Sequence, residues 1–135
     1  MISLRHGLCY AAAAATAAAG IIHLSLAPNS LGFNVNTGIL FLVGGALQLF
    51  WVVPMIRRWG SVWYLVGIGG TLILIALWSI TRMPDNAITA RAAPVSQTGI
   101  VVEIMQILYL GLTMSFMIYE KIKKRSGQNV PTVTK

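Results

Sequence analysis

Six polar side chains within the apolar stretches of this 135-residue chain or at their ends are the informative ones: His23, Gln48, Thr71, Arg82, Glu103 and Gln106. An imidazole, a carboxylate and a guanidinium are groups that could hold a polar ligand or pass a proton, and His23 with Glu103 are the candidates for ligating a metal. Gln48 and Gln106 could add hydrogen bonds to the same ligand. The pattern stops short of a reaction centre. The chain has no Ser–His–Asp set, no paired carboxylates within one stretch and no His-x-x-x-His or Cys-x-x-Cys spacing. His6 precedes His23 by 17 residues, about 25 Å along one helix, so the two cannot share a haem or a metal through that helix. Cys9 is the single cysteine, which excludes an internal disulfide and leaves a buried, inert thiol as its expected state. No catalytic residue and no cofactor is expected.

Plainer roles stand beside these. Glu103 could simply pair with Arg82 and lock two helix ends together. His23 could be a hydrogen-bonded packing residue, and Gln48, near a helix midpoint, could serve as interhelical glue.

The elements that must position these groups are four apolar stretches, about 8–27, 38–56, 62–80 and 99–119, none of which contains Lys, Arg or Asp. A helix rises about 1.5 Å per residue and the bilayer core is about 30 Å thick, so about 20 such residues suffice to cross. With 56% hydrophobic and 10% charged residues the chain lies outside the range of ordinary soluble domains. Only helices or closed barrels satisfy the backbone in lipid, and runs such as Leu72–Leu77 lack the alternation of a barrel strand. The expectation is an all-α bundle of four transmembrane helices in a single domain, residues 1–125, with a disordered polar tail at 126–135. Arg5 and the alanine run after it imitate a secretory signal, but the apolar stretch continues to Pro28, which favours a retained first helix.

Basic residues orient the spans. If the helices alternate, Arg5, Arg57, Arg58, Lys121, Lys123, Lys124, Arg125 and Lys135 share one side, against Arg82 and Arg91 on the other. The side richer in Lys and Arg is cytoplasmic, so both termini should face the cytoplasm of a cell-membrane protein. Because the net charge of +7 flanks the spans, it argues for a lipid surface and against nucleic acid as a partner. Arg57, Arg58, Lys121, Lys123, Lys124 and Arg125 are the expected contacts to lipid headgroups. Under this topology His23 and Glu103 each lie four residues from the outer end of their helices, about 6 Å deep, with Arg82 just above them. A His–Glu–Arg cluster at the outer mouth of the bundle is the result. Cys9, Thr16 and His23 repeat every seven residues on the first helix, and Glu103, Gln106, Leu110 and Thr113 are expected to share one face of the fourth.

Loop residues point to the ends of these elements. Pro28-Asn29-Ser30 should end the first helix and Asn36-Thr37 cap the second, while Gly60 suits a helix C-cap and Ser61 the following N-cap. Ala11–Gly20, Gly44-Gly45, Gly67, Gly69 and Gly70 are small residues of the kind that let membrane helices approach closely. The alanine-rich first helix is expected inside the assembly.

The run from Ile21 to Trp51 and the run Tyr64–Asn86 resemble a set of small four-helix membrane proteins of archaea, including ammonia-oxidising ones, and some bacteria. The resemblance covers about residues 20–110 and is carried by His23 with Pro28, Gly38 to Gln48, Leu77-Trp78 with Thr81-Arg82, and Glu103. It implies a four-helix fold and, through the company those proteins keep, an accessory subunit of a membrane oxidase or monooxygenase. The Ala/Gly-rich helices, the minimal loops and the lack of a reaction centre make the expected function a non-catalytic accessory subunit that packs with other membrane subunits or with itself. The alternative is a small protein that binds or transports a ligand, proton or metal through the outer cluster.

Overall fold

In a computed structural model describing residues 3–128, the chain forms four α-helices: α1 Leu4–Phe33, α2 Val35–Arg57, α3 Ser61–Ile80 and α4 Gln97–Gln128. Each is long and apolar enough, by length and composition, to cross a membrane. No strand occurs among the described residues.

Several boundaries differ from expectation. Pro28 does not end α1, which runs on to Phe33. Proline lacks an N–H, but its φ suits a helix, so it costs one backbone bond and bends the helix without having to stop it. The expected ten-residue connection shrinks to Asn34 alone. Its extended backbone (φ −151°, ψ 108°) turns the chain, its N–H donates to the Ser30 carbonyl, and its Oδ1 accepts from Thr37 N–H at 3.1 Å. The cap of α2 is thus Asn34 and not Asn36 or Thr37. At the other hairpin Arg58 closes α2 in the left-handed region (φ 53°), and Gly60 (φ 113°) is the N-cap of α3, one residue before the expected Ser61. α4 extends through residues 126–128 of the expected tail, because Glu120–Arg125 is built from good helix formers and its basic end complements the helix dipole. The remainder of that tail lies outside the described residues.

The helices alternate in direction. Arg5 on α1 forms an ion pair with Glu120 on α4, with Nη2 donating to Oε2 at 3.2 Å, and the Arg58 guanidinium reaches the His6 ring at 3.4 Å. Trp51 near the end of α2 donates from Nε1 to the Trp63 carbonyl near the start of α3. The start of α1, the α2–α3 hairpin and the end of α4 therefore occupy one end of the bundle, as the basic residues require.

Packing is uneven. The most extensive interface joins α1 and α2, followed by α1 and α4, while α3 touches its neighbours lightly. Backbones meet where α1 crosses α2: a Cβ on Gly20 would lie 2.9 Å from the Gly45 carbonyl oxygen, and one on Gly45 would lie 2.9 Å from that of Gly20. Only hydrogen at both positions permits that approach. The alanines Ala12, Ala13, Ala15, Ala19 and Ala27 are all buried, so α1 is the inner helix, as its composition suggests. Around it the core closes with Cys9, Met55, Tyr64, Tyr109 and Phe116, the rings of Tyr64 and Phe116 meeting edge to face at 5.4 Å.

The α3–α4 connection folds around Asn86. Its Oδ1 accepts from Ile88 N–H, Thr89 N–H and the Thr89 hydroxyl, and its Nδ2 donates to the carbonyls of Met83 and Arg91. Asn36 Nδ2 donates to the Ile88 carbonyl at 2.7 Å and fastens the loop to the start of α2.

Candidate functional site

The cluster drawn from topology forms in part. His23, Arg82 and Glu103 line one cleft at the end of the bundle away from the Arg5–Glu120 pair, together with Thr37, Phe41 and Trp78. All four helices and a turn build it: α1 brings His23, α2 brings Thr37 and Phe41, α3 brings Trp78, α4 brings Glu103, and the turn after α3 brings Arg82. The cleft is small, about 40 Å³, which admits a few waters and no drug-sized ligand.

Each residue has a distinct engagement. His23, 7% exposed, has Nδ1 at 2.8 Å from Gln48 Oε1 and its ring stacked on Phe41 at 5.2 Å. An amide oxygen accepts only, so this contact puts the ring proton on Nδ1 and leaves the lone pair on Nε2. Gln48 also binds α1 through its backbone, where the Thr16 hydroxyl donates to its carbonyl at 3.2 Å. Gln48 is thus the tie between α1 and α2 and supports His23 without lining the cleft.

Arg82 and Glu103 do not form the expected ion pair, since no carboxylate oxygen of Glu103 comes within 4.0 Å of the guanidinium. The guanidinium is taken up elsewhere: its centre lies 4.6 Å from the Trp78 ring centroid, and Nη1 donates to the Thr81 hydroxyl at 3.2 Å. Its Nε is buried and meets no hydrogen-bond partner among the described residues. Burial pulls the Arg82 pKa below its ordinary value, and the charge of Glu103 works against that shift.

Gln106 is not part of the cleft. The buried stripe of α4 is Gly99, Val102, Gln106, Tyr109, Thr113 and Phe116, spaced by three and four residues, and Glu103 and Leu110 sit half-buried on its flank. The expected face is therefore rotated: Gln106 and Thr113 point inward, while Glu103 and Leu110 do not follow them. Gln106 is 1% exposed and its Oε1 finds no partner among the described residues. On α1, Cys9, Thr16 and His23 are all buried along one face, in agreement with their seven-residue repeat. Among the described residues no three His, Cys, Asp or Glu side chains converge on one point, and Nδ1 of His23 is already engaged.

Sequence reasoning missed two features. The Arg5–Glu120 pair was legible in principle, since the alternation of helices puts both residues at one end. Asn86 was visible only as part of a Pro-Asp-Asn turn signal, and nothing local announces its five bonds.

The basic residues expected at lipid headgroups all lie exposed at the Arg5–Glu120 end. Four of the six, Arg58, Lys121, Lys123 and Lys124, line a groove of about 890 Å³ between α3 and α4, whose inner wall is Tyr64, Leu65, Ile68, Met114, Phe116 and Ile118. Arg57 and Arg125 stand outside it.

No protein family, curated protein or solved structure matches the chain.

Proposed function

We propose that this chain is a non-catalytic subunit of a larger membrane assembly, with both ends of the four-helix unit and the α2–α3 hairpin in the cytoplasm. The observation that carries the reading is the uncovered face of α3. Only Tyr64, Gly67 and Thr71 of that helix are buried, and Cβ atoms built on Gly69 and Gly70 meet nothing within 4 Å. Small residues gain nothing from facing lipid, but they let another helix approach closely. Exposed Val62, Val66 and Ile73 flank the glycines and complete an apolar strip for such a helix. Purification in mild detergent should recover partner chains in fixed ratio. Gly70→Leu should release them while leaving the chain folded, because no atom of the described residues lies within 4 Å of a Cβ built there. A monodisperse single chain from both proteins would remove the support.

A second reading, a proton or small-ligand site in the outer cleft, is favoured by the buried Nε of Arg82, which has no partner among the described residues, beside Glu103. Glu103→Gln should then abolish ligand-dependent proton movement in vesicles. Unchanged movement would leave that reading without a basis.

A further inference from the structure

The groove between α3 and α4 has walls of two kinds. Its rim is cationic, with Arg58 at the α2–α3 hairpin and Lys121, Lys123 and Lys124 on the last turns of α4. The one acidic residue on the lining, Glu120, is already held by Arg5. Its depth is apolar. From Ser61 to Ile68 the wall of α3 rises about 10 Å, and from Lys124 back to Met114 the wall of α4 rises about 15 Å, or half the hydrocarbon thickness. The floor is closed by the paired rings of Tyr64 and Phe116. A space of about 890 Å³ with this gradient matches a molecule that has an anionic head and a single-leaflet apolar tail.

The geometry points to a specific site for an anionic phospholipid, its phosphate among Arg58, Lys121 and Lys124 and an acyl chain between α3 and α4. This differs from general attraction of a basic surface, because Arg57 and Arg125, at the same end, stand outside the groove. It also differs from docking of a partner helix. Membrane helices carry Lys and Arg at their cytoplasmic ends, so a neighbour in this slot would set like charges against the rim. The site rests on the cytoplasmic orientation proposed above but needs no partner chain, and it uses a different face of α3.

The test is lipid retention by the purified full chain from nanodiscs of equal parts phosphatidylglycerol and phosphatidylcholine, read by mass spectrometry after exchange into detergent. The wild-type chain should keep phosphatidylglycerol in preference to phosphatidylcholine. Removing Lys121 and Lys124 together as glutamine should weaken retention about five-fold per residue. Arg57→Gln with Arg125→Gln removes the same charge outside the groove and should leave retention unchanged. Leu65→Trp fills the apolar wall without touching the charge and should also displace the lipid. Helical circular dichroism confirms that each variant folds. Equal losses from the inside and outside charge pairs, equal retention of the two lipids, or cross-linking of a partner helix to Ser61→Cys in the groove would each overturn the assignment.

Discussion

Two side chains hold more of the structure than their neighbours, and both are amides. Gln48 accepts from His23 and, through its carbonyl, from Thr16, so it bonds α1 at two depths. Gln48→Leu keeps the volume but leaves the buried His23 Nδ1–H without a partner, which costs about 1–3 kcal/mol. The expected outcome is a lower midpoint in detergent thermal melts, with Gln48→Glu retaining more stability than Gln48→Leu. Asn86 satisfies five groups of the α3–α4 connection, and Asn86→Ala should destabilise that loop by a similar amount. Limited proteolysis near Arg91 should then accelerate, while a melt of the helices moves little. Of these two, Gln48 was legible in the sequence, since a lone amide at the middle of an apolar helix must find a partner. Asn86 was not, because its partners are backbone groups whose positions depend on a left-handed Asp85 and Ala90.

Among the elements, α1 and α2 form the tight pair and the glycine crossing is its centre. Gly45→Val drives two methyl groups into the backbone of α1 at Gly20 and should cost about 1–3 kcal/mol through forced separation. Gly111→Val, at a position with open space around it, is the control and should be close to neutral in the same melt. Helix number and the placement of alanine inside were legible because length and residue size govern them directly. The extent of α1 was not. Pro28 and Asn29-Ser30 carry the local signals of a helix end, yet packing of α1 along α2 sustains one more turn and a half before Asn34. The rotation of Glu103 off the inner face of α4 had a similar origin. Two inward stripes fit the spacing of α4, one through Glu103 and Leu110 and one through Val102 and Tyr109. Contacts with α1 and α3, and not spacing, choose the second.

For the whole molecule, alternation of the helices makes a prediction about sidedness. In a Cys9→Ser background, Arg57→Cys and Asp85→Cys should react with a membrane-impermeant maleimide from opposite faces of sealed vesicles. Labelling of both from one face would break the assignment of four crossings. The one-residue corner at Asn34 has a further consequence for how the molecule can move. It gives α1 and α2 no slack, and the glycine crossing joins them again farther along, so the pair tilts as one plate. His23, Thr37 and Phe41 ride on that plate and Glu103 on α4, which packs against it, whereas Trp78 and Arg82 belong to the lightly held α3 and the turn that follows it. Any widening of the space between them is therefore a swing of α3 and its following turn, like a door leaf against a fixed jamb.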